Sequence, residues 1–398
     1  MTPMRIGLLS GEYPPMQGGV GDFTRELASA LAAQGHQVHV ITHADARPQT
    51  IPFAVHPLVR RWGWRALGEI TALVQSLELE VVNIQYQAAA YQMRPPIHLL
   101  PWWWRRSLET RPCVVVTFHD LRVPGLFRGA GLFRLRARAI RFLASQADGV
   151  IVTNREDELA IQSWEESAVR RLAQIPIGSN IAPNPPPDYN RDAWRRSLGI
   201  GPRDLLIGYF GFLNASKGVD TLIRALALLM ADPLLPRPVH LLMIGGMVGS
   251  SDPTNQAYAE QIQALIQSLN LEHRVRWTGF VPDRYVSGYL LTVDLCVLPY
   301  VDGVSFRRGS LMACLAHGRP IITTYPRVEL PELRDGENVL LVPPRDAPAI
   351  ARAVVRVAGD ARLWNRLSQG ALRLARRFRW EEIAARTVAF FQEVAQEA

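Results

Sequence analysis

Lysine is almost missing from this 398-residue chain: of its 44 basic residues one, Lys217, is a lysine and the rest are arginines. A lone ammonium beside a glycine is a candidate for a task that needs a compact charge rather than a planar fork. Cysteine is nearly as scarce. Cys113, Cys296 and Cys314 are scattered, with no CxxC spacing, which excludes a disulfide framework and a cysteine-built zinc site. Their apolar neighbours make them buried free thiols, and the cytoplasm is the expected compartment. No apolar run approaches the ~20 residues of a spanning helix. The opening MTPMRIGLLSGEYPP has neither the longer apolar core nor the small-residue cleavage site of a signal peptide. A net charge of +8 calls for anionic partners. Nucleic acid is set aside, because there is no basic run, zinc spacing or recognition motif.

Hydrophobic residues make up 48% of the chain and charged ones 20%, enough to bury large cores, and the length exceeds one domain. Residues 5–10 (RIGLLS) read as a strand. A Gly/Pro-rich loop follows, then a helix with Val20, Phe23, Leu27 and Leu31 on one face, ended by Gly35. Strand-like runs recur at 37–42, 81–87, 113–120, 149–154 and 173–178, separated by helix-length segments. Strand and helix in alternation mean a parallel sheet covered on both faces. The proline-rich IAPNPPPDYN then interrupts the pattern and reads as a linker. The cycle restarts with strands at 205–211, 239–246, 275–280, 295–300, 320–324 and 338–344, and helices at 218–230, 256–269, 309–317 and 346–358. Residues 380–396 form one amphipathic helix. The division is therefore a doubly wound α/β domain over 1–180, a linker over 181–195, a second such domain over 196–378, and a closing helix over 379–398 that packs back toward the first domain. Ligands of such sheets bind beyond the carboxyl ends of the strands, so the two domains are expected to face a cleft.

Four stretches at strand ends carry chemistry. Gly18-Gly19 opens the first helix, either as a tight turn or as a backbone that approaches an anion. In YFGFLNASKG (209–218) the only lysine lies between a strand end and a helix start, where an ammonium and free N–H groups make a phosphate site. In LPYVDGVSFRRGS (298–310) Asp302, Arg307 and Arg308 share a loop with a helix start, which suits a sugar hydroxyl and a diphosphate together. TFHD (117–120) puts His119 at the carboxyl end of a first-domain strand.

At these residues the chain resembles the retaining glycosyltransferases of family 4, group 1, which have the GT-B fold of two Rossmann-like domains. The resemblance runs in order through the PPxxGGVGxF loop, TFHDL, GVIVTN, SKGVDTLIRAL, LLMIGG, VRWTGFVP, the D-x-x-V-L-P strand, HGRPII, PELxxGEN and FRWEEIA. It implies a hexosyltransferase-type enzyme using a nucleotide-sugar donor, with retention by same-face attack, no covalent enzyme intermediate, no cofactor and no required metal. Gly18 and Gly19 would approach the donor diphosphate. His119 would lie beside the donor sugar. Lys217 would pair with the diphosphate and stabilise the leaving group. Asp302 would hold sugar hydroxyls, assisted by backbone N–H groups from Gly303 onward. Glu332 is given only a structural role.

Two positions depart from the family. Its pair of glutamates eight positions apart reads here as Asp302 and Ser310; Ser310 would be a donor sugar or ribose contact with Asp302 and Gly303, but a serine hydroxyl cannot grip a ribose with two oxygens. Its arginine after the strand glycine is Phe212, leaving Arg307 or Arg308 to supply the cation. These departures keep two alternatives in play: a nucleotide-sugar epimerase or phosphorylase, and a non-catalytic sugar-nucleotide binder. The acceptor is not legible. PWWWRR (101–106) and the helix at 131–145, with Arg134, Arg138 and Arg141 beside Leu135, Ala139 and Phe142, have the pattern of a surface lying on anionic membrane. A solvated basic face over a packed stripe fits them equally.

Overall fold

The computed structural model describes residues 3–16, 18–47, 51–121, 130–164, 169–232, 235, 237–246 and 254–396. The chain forms two compact units, Met1–Gly178 with Arg379–Ala398, and Ser179–Phe378. The stretch 181–195 thus belongs to the second unit. Its last residues already start a helix, α6 (Arg191–Ser197), because the Asn190 side chain caps the N–H of Ala193.

The first unit holds β1 (Arg5–Ser10), β2 (Gln37–His43), β3 (Ala54–Val59), β4 (Val81–Tyr86), β5 (Cys113–Phe118), β6 (Gly149–Val152) and β7 (Leu172–Gln174). They form one sheet in the order β3-β2-β1-β4-β5-β6-β7, and each of these neighbouring pairs is parallel. β4 and β5 are buried along their whole length, which is why β5 reads as a nearly continuous apolar run, while β4 buries Asn83 and Gln85 among its apolar residues. Alternate residues feed two cores. Val82, Ile84, Val114 and Val116 join one with α2 (Trp64–Ser76) and α4 (Ala130–Gln146). Val81, Val115 and Ile151 join the other with α1 (Gly19–Ala33) and α13 (Trp380–Ala395). The closing helix therefore completes the first unit, and Phe391 is fully buried there.

The second unit holds β8 (Leu205–Phe210), β9 (Val239–Ile244), β10 (Val275–Trp277), β11 (Leu295–Leu298), β12 (Ile321–Thr324) and β13 (Leu340–Val342), in the order β10-β9-β8-β11-β12-β13. Its helices include α7 (Val219–Met230), α10 (Gly309–Ala316) and α11 (Ala347–Gly359). In both units strand order reverses at one place, between β1 and β4 and between β8 and β11. Chains leave the sheet in opposite directions at such a point and open a crevice above the strand ends. All three cysteines are free and buried.

One structural device recurs. Asp148 precedes β6 and accepts from Val114 N at 2.9 Å and Arg105 at 2.7 Å. Asp294 precedes β11 and accepts from Leu206 N at 2.8 Å and Arg191 at 2.5 Å. Each carboxylate ties a strand start to its neighbour, so these acids are occupied in holding the sheets.

Candidate active site

In the second unit β8 runs out at Phe210 and Gly211 turns the chain with φ 127°, a conformation side chains rarely adopt. A Cβ on Gly211 would lie 2.7 Å from Lys217 Nζ and 3.9 Å from Ser310 Cβ. Glycine is what lets the ammonium lie against the strand end. The segment between them is fixed locally: Asn214 accepts from Ser216 N at 2.8 Å, and Ser216 O accepts from Val301 N at 2.8 Å. Gly218 (φ 66°) then starts α7, and a Cβ there would stand 2.1 Å from Pro299 O. Two loops, one after β8 and one after β11, are thus held in contact at the switch point. Burial lowers the Lys217 pKa to about 8, and the Arg308 guanidinium adds to the shift.

The β11 loop supplies the rest. Asp302 accepts from Arg307 Nη2 at 2.8 Å and from Arg308 Nη2 at 2.5 Å, one guanidinium on each carboxylate oxygen. Gly303 (φ 82°) turns the loop back, and Arg307 and Arg308 reach Asp302. Arg308 also lies over the Tyr300 ring, 4.9 Å from its centroid, and the Tyr300 hydroxyl meets Ser310 Oγ at 2.7 Å. The Nε of Arg308 is buried with no hydrogen-bond partner among the described residues, a donor left for a ligand. α10 starts at Gly309 with no side chain capping it, so its first amides add to the positive end. Ser310 is buried with its hydroxyl engaged by Tyr300. Glu332 lies outside this group: its carbonyl accepts from Asn338 Nδ2 at 2.8 Å and its carboxylate pairs with Arg377 at 3.6 Å.

In the first unit, the amides that Gly18 and Gly19 lead into already hold an acid. Glu12 Oε1 accepts from Val20 N at 3.0 Å and Gly21 N at 3.2 Å. A Cβ on Gly18 would overlap that carboxylate, whereas Gly19 faces open space. Burial raises the Glu12 pKa against the lowering effect of the two amides. His119 follows β5. Its Nε2 lies 2.9 Å from Gln85 Oε1, and Gln85 in turn donates to Asn83. That orientation of the amide makes Nε2 the protonated nitrogen and leaves Nδ1 as an acceptor. Burial lowers the His119 pKa to about 3, so the ring is neutral under working conditions and offers a hydrogen bond, not a charge.

The structure therefore gathers Lys217, Asp302, Gly303, Arg307, Arg308 and Ser310 in one place, and describes His119, Gly18 and Gly19 in the other unit. Sequence reasoning missed Glu12, Tyr300 and Gln85. Glu12 stands in the same Gly/Pro-rich loop as Gly18, a signal that was available. Tyr300 and Gln85 sit inside apolar strand patterns and carried none.

Two family profiles match. "Glycosyl transferases group 1" covers residues 204–360 and "Glycosyltransferase Family 4" covers residues 17–178. The D-inositol 3-phosphate glycosyltransferase of Thermomonospora curvata is 29% identical, over 95% of this chain and 92% of its own length. That of Corynebacterium diphtheriae is 26% identical, over 99% and 96%. Among solved structures, sucrose-phosphate synthase from Thermosynechococcus elongatus superposes with a TM-score of 0.76 at 23% identity, over 99% of both chains. Anabaena HepE, in complex with UDP and glucose, gives 0.73 at 20% identity, over 98% of this chain and 99% of that one. Both share the GT-B architecture of two Rossmann-like units described above.

Proposed function

The chain belongs to the family 4, group 1 glycosyltransferases, and from that premise we propose that it moves a sugar from a nucleoside-diphosphate donor to an acceptor hydroxyl with retention at the anomeric carbon. The observation that carries the reading is the Lys217 ammonium, held against Gly211 at the switch point and next to the start of α10. The order of groups across the sheet supports it. Along β10, β9, β8 and β11 stand the exposed ring of Phe280, Gly246 with the Phe212 ring beside it, the Lys217 ammonium and Asp302. A nucleotide sugar has the same order of base, ribose, diphosphate and sugar. Strands are about 4.8 Å apart, so the step from β10 to β8 is about 10 Å.

In this reading the bond between the anomeric carbon and the β-phosphate oxygen breaks, and its electron pair passes to the diphosphate. Lys217, Arg308 and the α10 amides meet the growing charge, with side chains and backbone doing the work for which other enzymes recruit a metal. The acceptor oxygen attacks the same face and its proton passes to the departing phosphate. Asp302 accepts a hydrogen bond from a sugar hydroxyl, and in the first unit the neutral His119 offers Nδ1 as an acceptor.

A thermal-shift panel of nucleoside diphosphates, nucleotide sugars and pyrophosphate tests the donor half, because a ligand that binds only the folded state raises its apparent stability. No shift with any nucleotide would sink the reading. Phe280→Ala is expected to reduce the shift with nucleoside diphosphates and leave that with pyrophosphate unchanged. The relatives' name puts inositol phosphate at the head of an acceptor panel.

The Lys217 pKa sets a pH dependence. The protonated lysine binds the diphosphate, so nucleoside diphosphate affinity in calorimetry should hold below about pH 8 and fall above it, by up to tenfold per pH unit. Stability of the unliganded protein moves the other way. The fold disfavours the charged lysine, a penalty present below pH 8 and relieved as pH rises toward the ordinary value of 10.5.

The surface reading of the arginine-rich segments is narrower than the sequence suggests. Within α3 (Leu100–Ser107), Trp104 is core and Arg105 is held by Asp148. The Arg134 side chain lies outside the described residues. Trp103 and Leu135 remain exposed, along with Arg138 and Arg141. No described helix is long and apolar enough to cross a membrane. We read this patch as a peripheral contact and expect the protein to float with anionic liposomes at low salt and to be released at high salt. Absence of flotation at low salt removes the contact.

A further inference from the structure

Helices α7 and α8 (Thr254–Ser268) of the second unit border a cavity of about 760 Å³, within the usual size range of small-molecule pockets. It shares no lining residue with the donor groups described above. Ile262 and Leu265 give it an apolar side, while Asp220, Gln261 and Ser268 offer hydrogen-bonding groups. A sugar ring presents the same mixture of C–H faces and hydroxyls. Asp220 is the one carboxylate of the wall, and its Oδ1 accepts from the Tyr258 hydroxyl at 2.8 Å. That bond ties α8 to α7 and holds the acid in place.

Two guanidiniums line the same cavity, Arg224 on α7 and Arg345 in the turn before α11. Both are exposed, and neither has a hydrogen-bond or ion-pair partner among the described residues. Arg345 also holds φ 61° without being glycine, a conformation that persists where the surroundings impose it. Two unpaired guanidiniums facing one already bonded acid favour an anion, and phosphate is the anion their planar forks fit best. The hydroxyl-binding groups beside them favour a polyol that carries it.

The cavity also reaches the loops of the candidate active site. Ala215 and Val301 line it. Ala215 opens the turn Ala215–Lys217, and Val301 N donates to Ser216 O at 2.8 Å. An occupant that packs on both residues holds that turn closed.

We propose that this cavity binds a phosphorylated sugar, with the phosphate against Arg224 and Arg345 and hydroxyls on Asp220 and Gln261, and that the bound sugar braces the turn bearing Lys217. The site goes beyond the donor reading and stands without it, because no nucleotide takes part.

The test is calorimetry of the intact protein with ribose 5-phosphate, without nucleotide, beside ribose and inorganic phosphate. Saturable binding is expected, at least tenfold tighter than of either fragment. Hydrogen exchange gives the second readout: ribose 5-phosphate should slow the amides of Lys217 and Val301 at least twofold. Arg224→Ala changes an exposed helical position, and Arg345→Gly suits the left-handed backbone, so both variants should fold. Each should weaken binding at least tenfold, and Lys217→Ala should leave it unchanged. The proposal is overturned by the absence of saturable binding, by either fragment binding equally well, by wild-type affinity in either arginine variant, or by unchanged exchange at Lys217 and Val301. Loss of binding in Lys217→Ala would also overturn it, because the ligand would then sit in the donor site.

Discussion

Lys217→Ala should lower turnover at least ~100-fold, the scale of losing one group that stabilises transition-state charge. The expected loss exceeds what a surface ammonium would cause, because nothing near Lys217 can replace it. It is the chain's only lysine, and the two nearby guanidiniums are each anchored to Asp302 through Nη2, so Arg308 adds to its charge without taking its place. Lys217→Arg is not expected to recover the activity. The ammonium lies so close to Gly211 that even a Cβ there would stand 2.7 Å from it, and a planar guanidinium needs more room. The measurement is single-turnover transfer at saturating donor with purified variants. Near-normal turnover in Lys217→Ala would refute the role. Binding should weaken for nucleoside diphosphate and pyrophosphate alike, in contrast to Phe280→Ala, which separates loss of the charge from loss of the base contact.

Lys217 was legible in the sequence because composition singled it out and strand-and-helix periodicity placed it at a strand end. The central strands were legible for a related reason: burial on both faces makes β4 and β5 predominantly apolar runs. β3 was not. Its sequence, AVHPLV, carries a proline and five of its six positions are partly or fully exposed, which an edge strand tolerates and a loop resembles. The partnerships of the site were legible only in part. Ser310 reads as a sugar or ribose contact, and in the structure its hydroxyl also meets Tyr300 Oη. Arg307 and Arg308 read as diphosphate cations, and in the structure each also holds Asp302. A single sequence lists which groups share a loop. The turn at Gly303 decides which of them touch, and its effect on the next five residues has no one-dimensional signature. Glu12 makes the same point in the first unit. The helix start that Gly18 and Gly19 advertise as an anion site is already taken by a carboxylate from the same loop.

That pairing of two guanidiniums with one carboxylate leads to the second large effect. Lys217, Arg307 and Arg308 bring three positive charges and Asp302 one negative, and the side chains of the two arginines and the acid are 8%, 15% and 18% exposed. Removing the acid from such a partly buried group leaves uncompensated cations. The substitution Asp302→Asn is therefore expected to split the kinetic constants. Nucleoside diphosphate should bind as tightly as before or more tightly, since both arginines are released toward it. Turnover should fall about 100-fold, because the sugar loses an acceptor for its hydroxyls and the freed guanidiniums bind the diphosphate as strongly before the bond breaks as after. Binding that favours ground state and transition state equally does not accelerate the step. Calorimetry with nucleoside diphosphate and steady-state transfer assays on the same preparation check both halves. A parallel loss of affinity and turnover would mean that Asp302 holds the loop in shape rather than the sugar, and Arg308→Met would then show the same parallel loss, whereas a sugar-holding Asp302 predicts a smaller effect from Arg308→Met on turnover than from Asp302→Asn.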